Sequence, residues 1–230
     1  MNIIFTDKYQ LKGIIDEPKP ASAFLPDWYK NITSYVTGKK EPPPTLEGTN
    51  STIKKCVPVF DAITAGYIIT LPCDVHVKTV DDKPFYTWSS FSAIEFHGVE
   101  QFTGHPKAMG DFDAPKFMNP WGIKTPKGWS VLIVQPMHRP SPFTILPGVV
   151  DTDTYTNNVN FPFVLNDIKF EGMIPAGTPI AQIIPIKRER WKMYLGGFEE
   201  LEEQKQIVTK FQTVFFDRYK RFWWHKKEYK

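Results

Sequence analysis

Pro126-Lys127-Gly128 leads into Trp129-Ser130-Val131-Leu132-Ile133-Val134, and Pro175-Ala176-Gly177 leads through Thr178-Pro179 into Ile180-Ala181-Gln182-Ile183-Ile184-Pro185-Ile186. The two stretches share one grammar. Proline sets φ near −65° at a turn position, glycine takes a turn position where φ is positive, and a β-branched apolar run follows. Each predicts a buried strand entered from a tight turn. Further runs of the same texture are Tyr67–Leu71, Phe85–Trp88, Phe143–Val150, Val159–Leu165 and Ile168–Met173. Val75–Val80 alternates with period two, as a half-buried strand does, and Asp81-Asp82-Lys83-Pro84 supplies the turn after it. Pro58–Gly66 reads as a two-turn helix closed by glycine. Many short strands at roughly 8 to 12 residue spacing predict a mainly β body, a distorted barrel or sandwich.

The flanks differ from this middle. Residues 1–50 read as a Pro-rich N-terminal arm and linker: a short strand at Asn2–Phe5, a helical turn around Trp28 and Tyr29, then Gly38-Lys39-Lys40-Glu41-Pro42-Pro43-Pro44. Successive prolines favour a stiff polyproline II linker. Residues 51–190 form the β core, and residues 191–230 a C-terminal helix with a basic, aromatic tail. The helix is expected to run from Phe198 to about Phe222, with glutamates in its first turn and Lys/Arg in its last, complementing the helix dipole. Leu201, Val208, Phe211, Phe215 and Phe222 make one apolar stripe, expected to pack on the sheet.

Bulk composition excludes several classes. Proline is 21 of 230 residues and aromatics are 15%, which together exclude a helical bundle, a coiled coil and a disordered chain. The net charge of +3 points to no partner by itself, but Arg218–Lys230 carries +5, so the rest of the chain is at −2. Two cysteines, Cys56 and Cys73, form no disulfide framework and read as small buried hydrophobes of a reducing compartment. The N-terminus lacks the basic then apolar pattern of a signal peptide, and no run approaches the ~18 apolar residues of a membrane span. The expected location is therefore the cytoplasm or a virion, with no membrane partner.

Leu146-Pro147-Gly148-Val149-Val150-Asp151-Thr152-Asp153-Thr154-Tyr155, followed by Gly177-Thr178-Pro179-Ile180-Ala181-Gln182, resembles the core pattern of trimeric dUTPases and their dCTP deaminase relatives, the β-clip fold. Gly122-Ile123-Lys124-Thr125-Pro126-Lys127-Gly128-Trp129 is similar to the strand and turn preceding their second motif. The resemblance implies a β-clip-like core and trimers. It gives Asp151 the ordering of an attacking water, Tyr155 the stacking on deoxyribose, and Arg139 the place of the phosphate-binding arginine, with magnesium as the one cofactor of such hydrolysis. The pattern departs in two places. Thr154 separates Asp153 from Tyr155, and Met137-His138-Arg139-Pro140 stands where the family has Arg-Ser-Gly, so that a proline removes a backbone donor from a phosphate-holding turn. Gly196-Gly197-Phe198 is similar to the family's C-terminal glycine motif but runs into an acidic helix start, which would repel a triphosphate. Turn chemistry, with both aspartates capping backbone N–H groups, is the competing account of Asp151 and Asp153.

A broader likeness, from about Cys56 to Trp191, is to a family of uncharacterised bacterial and phage proteins. It is carried by Asn119-Pro120-Trp121-Gly122-Ile123-Lys124-Thr125-Pro126-Lys127-Gly128-Trp129-Ser130, Gly148-Val149-Val150-Asp151-Thr152-Asp153 and Asn160-Phe161-Pro162-Phe163. This resemblance implies a phage-type source and brings no activity.

Three other constellations bear on function. Glu95, His97, Glu100 and His105, with His138 downstream, make the weak metal candidates, Glu95 and His97 sharing one face of a strand as in a two-His-one-carboxylate centre. Hydrogen-bonded, metal-free histidines are the favoured reading. No Gly-x-Ser-x-Gly elbow or phosphate-cradling glycine loop is present. The tail Arg218-Tyr219-Lys220-Arg221-Phe222-Trp223-Trp224-His225-Lys226-Lys227 interleaves cations and aromatics, suiting a protein interface or single-stranded nucleic acid, the latter the lesser reading. Trp223 and Trp224 point ~100° apart on a helix, so at least one is expected to meet another chain or the arm. Trp28, Tyr29, Trp223, Trp224, Arg218, Arg221, Lys226 and Lys227 are the expected interface residues. The favoured function is a non-enzymatic phage-type structural or accessory protein, a virion component or assembly factor working through protein contacts as a homo-oligomer. The alternatives are a dUTPase-type nucleotide hydrolase and nucleic-acid binding through the tail.

Overall fold

The computed structural model describes residues 1–42, 50–89, 92–107, 113–212 and 216–230, with residues 211 and 212 by backbone alone. Pro43, Pro44, Phe215 and the side chain of Phe211, all used in the sequence reading, lie outside the described residues. The strands are β1 (Ile4–Asp7), β2 (Lys19–Pro20), β3 (Tyr67–Thr70), β4 (Val75–Val80), β5 (Lys83–Trp88), β6 (Ile94–His97), β7 (Ala114–Phe117), β8 (Trp121–Lys124), β9 (Trp129–Val134), β10 (Phe143–Ile145), β11 (Gly148–Val150), β12 (Phe161–Leu165), β13 (Gly172–Ile174) and β14 (Pro179–Lys187). The α-helices are α1 (Asp27–Asn31), α2 (Val57–Thr64), α3 (Phe198–Gln212) and α4 (Arg218–Phe222). Contacts divide the chain into two compact units. The first is Met1–Phe24 with Thr64–Arg188 and Tyr229–Lys230, and the second is Leu25–Ile63 with Glu189–Glu228.

The first unit is mainly β, as expected, but the expected barrel does not form. Among the described residues the strands make four antiparallel sheets, none closed: β11-β9-β14-β3-β2, β10-β12-β7-β6, β13-β4-β5 and β1-β8. A barrel needs each strand paired on both sides. Proline, lacking the N–H, interrupts that pairing here. The β12–β7 ladder is only Phe161↔Phe117 and Pro162↔Lys116, β2 stops at Pro20, and the β14–β3 register slips between Pro179 and Ala181. The run Phe143–Val150 is not one strand either. It breaks at Leu146-Pro147 so that β10 pairs with β12 while β11 pairs with β9, joining two sheets. Of Ile168–Met173 only the last residues enter a strand, in β13.

The two Pro-x-Gly turns form as read. Gly128 and Gly177 take φ of 84° and 79°, and Trp129 N–H and Thr178 N–H close onto the carbonyls of Pro126 and Pro175. In the β4–β5 hairpin, Asp81 and Asp82 both take positive φ, the geometry of a two-residue turn matched to strand twist. Gly66 follows α2 at φ 67°, and a Cβ there would lie 2.0 Å from the Ile183 carbonyl oxygen, so only glycine lets the chain pass β14. The core centres on three rings: Phe117 stacks on Phe163 at 3.9 Å between centroids, and Phe143 meets Phe117 edge-on at 4.8 Å. All three are fully buried.

In the second unit Tyr29 is buried, stacks on Phe60 and donates its hydroxyl to the Lys54 carbonyl at 3.0 Å. Tyr35 meets Phe216 edge-on. The single helix expected from Phe198 to Phe222 is instead two. Asp217 sits at φ 55°, a conformation no α-helix contains, and its carboxylate binds Lys55 at 2.6 Å. That partner holds the Asp217 carboxyl below the usual carboxylate range. The apolar stripe of α3 is not buried, since Leu201 and Val208 remain about half exposed. Cys73 is buried as expected, whereas Cys56 is exposed, contrary to the sequence reading. Among the described residues no helix is long and apolar enough to cross a membrane.

Candidate functional site

The segment after β11 is a tight turn built on one carbonyl. The oxygen of Asp151 accepts from Thr154 N–H at 3.1 Å, Tyr155 N–H at 2.9 Å and the Thr154 hydroxyl at 3.1 Å. Thr152, at its tip, is fully buried, its hydroxyl 2.7 Å from that of Thr125. Thr125 N–H in turn donates to the Thr152 carbonyl. The aspartate turn is thereby bolted onto the Pro126-Lys127-Gly128 turn between β8 and β9.

Both carboxylates face a common cation. Arg188, immediately after β14, brings one guanidinium nitrogen within 2.9 Å of Asp153 and 3.1 Å of Asp151, and its second nitrogen also binds Asp153. The same group donates to the Ser130 hydroxyl at 3.0 Å, and that hydroxyl donates to Asp151 at 2.6 Å. Asp153 also accepts from Gly128 N–H at 2.8 Å, and its side chain is only 3% exposed. The Arg188 guanidinium first, and the Gly128 amide second, hold the Asp153 carboxyl down at about 2. Asp151 keeps 61% of its side chain exposed and Tyr155 is 51% exposed, so both reach solvent from the turn.

Arg139 is directed elsewhere. It donates to the carbonyl of Phe24. His138 before it takes φ 55°, and Met137 N–H is held by the Gln182 side-chain oxygen at 3.0 Å. Gln182 is fully buried and its amide donates to the Ala65 carbonyl at 2.7 Å, so this residue of the Ile-Ala-Gln pattern ties three chain segments together.

Three of the weak metal candidates have another partner. Glu95 pairs with Lys116 at 3.3 Å, His97 lies 3.1 Å from the Gln101 side-chain oxygen, and His105 accepts from Lys107 N–H at 3.0 Å. Among the described residues no three His, Cys, Asp or Glu side chains cluster as metal ligands. The tail residues likewise contact their own unit. Trp224 donates to the Asp61 carboxylate at 3.0 Å and Lys227 binds the same carboxylate at 2.7 Å. Trp223 packs on Phe222, Arg221 lies over Phe222, and Lys226 pairs with Glu228. Trp28 meets Tyr29 edge-on, and Arg218 is half-buried.

Two features escaped the sequence reading. Arg188 organises the aspartate turn. Its only signal was a cation placed directly after an apolar strand. The second is the stretch from Trp191 to Phe198, where Trp191, Met193, Tyr194, Leu195 and Phe198 are 74 to 92% exposed. A cluster of large apolar residues in the segment joining core and helix was its signal, passed over because the segment carries no periodicity.

A comparison with protein families and with characterised proteins finds no match. Among solved structures, the dUTPase of Staphylococcus bacteriophage 80alpha aligns at 12% identity over 54% of this chain and 96% of its own, with a TM-score of 0.26. A point mutant of that enzyme with dUpNHpp aligns at 13% identity over 54% of this chain and 88% of its own, with a TM-score of 0.27.

Proposed function

We propose that the chain is a non-enzymatic structural or accessory protein of the phage type, working through protein–protein contacts. The observation that carries this reading is the uncovered stretch from Trp191 to Phe198. Five large apolar side chains within eight residues, each mostly exposed, form a patch of the kind that marks an interaction site in soluble proteins. Trp and Tyr are the residues that dominate binding hot spots. The aspartate turn supports the same reading from the other side. Asp153 caps the Gly128 N–H, as the turn-capping account has it, while the Asp151 carboxylate is held by the Ser130 hydroxyl and Arg188 within the chain.

A dUTPase-type hydrolase is the second reading, favoured by one observation: Asp151 and Tyr155 both reach solvent on one turn. One assay separates the two. The chain is incubated with a panel of deoxynucleoside triphosphates and magnesium, and pyrophosphate is measured beside the oligomeric state by light scattering. Pyrophosphate release that disappears in Asp151→Asn overturns the contact reading. No release, together with a defined oligomer, is the expected result.

A further inference from the structure

The loop after β1, the β3–β4 connection, β6 and the β7–β8 connection frame a recessed cavity of about 260 Å³. Every residue that lines it is described and belongs to the first unit. Leu11, Pro72, Met118 and Pro120 give it apolar walls, and Tyr9, Ser92 and Glu95 bring polar atoms to it. A mainly apolar recess with a few convergent polar groups is the common form of a small-molecule site.

The walls are fixed from within the chain. Both oxygens of the Asp7 carboxylate hold the loop, accepting from Tyr9 N–H at 3.0 Å and Lys12 N–H at 2.7 Å. Lys8 N–H donates to the Pro120 carbonyl at 3.3 Å, and Met118 N–H to that of Ala93 at 2.9 Å. Asn119 is buried, and its side chain is spent on the same wall. It donates to the Trp121 and Val159 carbonyls at 2.8 and 3.1 Å and accepts from Trp121 N–H at 2.9 Å. The Asn119-Pro120-Trp121 motif thus sets Met118 and Pro120 as one braced side of the recess. Walls that are already ordered avoid part of the cost of binding.

The groups left uncommitted select the occupant. Glu95 pairs through Oε2 with Lys116 at 3.3 Å, and among the described residues neither its Oε1 nor the Tyr9 hydroxyl has a hydrogen-bond partner in the chain. The recess therefore offers a charged acceptor, and its ligand must donate. Lysines already stand at both groups that attract a cation: Lys116 at Glu95, and Lys8 with its ammonium 5.7 Å from the centre of the Tyr9 ring. A neutral N–H donor fits such a place better than an ammonium. The walls favour a flat ring, since a thioether such as Met118 makes favourable contact with an aromatic edge and the Tyr9 ring offers a stacking face. The volume lies below the roughly 300–1,000 Å³ of sites for drug-sized ligands, which limits the occupant to one ring or two fused rings.

We infer that this recess binds a small planar heteroaromatic molecule that donates a ring N–H to Glu95 and packs its ring against Met118 and Tyr9. The inference stands apart from the protein-contact reading, and either can fail without the other.

Titration of the full chain with indole, its methionine methyl groups labelled with carbon-13, tests this. The control compound is 1-methylindole, which keeps both rings and cannot donate, and Met118→Leu identifies the Met118 methyl signal. The expected result is a Met118 signal that moves to saturation at millimolar indole. Binding of 1-methylindole should be roughly three- to tenfold weaker, the loss of one hydrogen bond to a half-exposed charged acceptor. Glu95→Ala should bring indole down to the affinity of 1-methylindole. Ser92→Trp, at an exposed rim position, should fill the recess and abolish the response to indole. If that variant does not fold, the natural chain and Glu95→Ala still decide. A Met118 methyl unmoved by either compound overturns the inference, and so does a response that survives Ser92→Trp in a folded chain. Equal affinities for the two compounds in the natural chain overturn Glu95 as the acceptor, and with it the donor class of the ligand.

Discussion

The aspartate turn and the stretch around α3 are opposite solutions to the same accounting. In the turn the buried threonine and both carboxylates find partners from their own chain: Thr152 has Thr125, Asp153 has Gly128 and Arg188, and Asp151 has Ser130 and Arg188. From Trp191 to Val208 the chain exposes one large apolar side chain after another. The first region is complete in one chain. The second gains stability only when something covers it. The turn's carboxylates are thus engaged within the chain, while the segment without a motif leaves its apolar side chains uncovered.

The largest effect expected from this contrast is in the core. Phe163→Ala removes a ring stacked on Phe117 and edge-on to Phe143 and Tyr86, and should cost about 3–5 kcal/mol in urea unfolding. Tyr194→Ser, at a residue of similar size in the exposed stretch, should change the unfolding free energy by no more than about 0.5 kcal/mol when read at a concentration where the chain is monomeric. The contrast fails if the two substitutions destabilise the chain alike.

Arg188→Gln should have the next largest effect, and it carries a pH signature. The Asp153 carboxyl sits at about 2 in the folded chain against an ordinary 3.8. A depressed folded pKa contributes stability that is fully present above about pH 4 and is lost as pH falls through about 2. The natural chain should therefore lose this stability between about pH 4 and pH 2. The variant should start lower at pH 5 and fall less, because the guanidinium that depresses Asp153 is gone. Asp217, held down by Lys55, contributes an acid loss common to both proteins, so the difference between the two curves is the quantity to read. Parallel curves would mean that Arg188 does not set the Asp153 carboxyl.

Much of the first unit was legible because its signals are local. Val75–Val80 alternates, Val131–Val134 is a continuous apolar run, and Gly66, Gly128 and Gly177 sit where only a positive φ continues the chain. Pro58–Gly66 gave its helix, Val57–Thr64, to within one residue at the start and two at the end. The failures are non-local. Closure into a barrel depends on which strands pair, and no single run records that Phe143–Ile145 and Gly148–Val150 belong to different sheets. Arg188 was invisible for the same reason. The β14–β9 register, with Lys187 opposite Trp129, is what delivers the next residue to the aspartate turn. The C-terminal helix was overextended because the stripe continues in sequence past Asp217, whose left-handed backbone and tie to Lys55 come from the fold. At the candidate site, the choice between a catalytic and a capping aspartate turns on partners that only the folded chain supplies.

The smallest test uses the two cysteines, one in each unit. Cys73 lies in the apolar core between β3 and β4, while Cys56 is exposed ahead of α2. Access of a reagent to a thiol requires the surrounding structure to open, and a core position opens with close to the global unfolding free energy. One thiol per chain should therefore react with a disulfide reagent in the native protein at the rate of an accessible cysteine, and the second only in denaturant. Cys56→Ser should abolish the fast phase and leave the slow one. Cys73→Ser should do the reverse, at some cost in stability from the space it leaves in the core. Two fast thiols in the native chain would mean that the β3–β4 region opens as readily as the surface around α2, and the contrast between a closed unit and an uncovered one would no longer hold there.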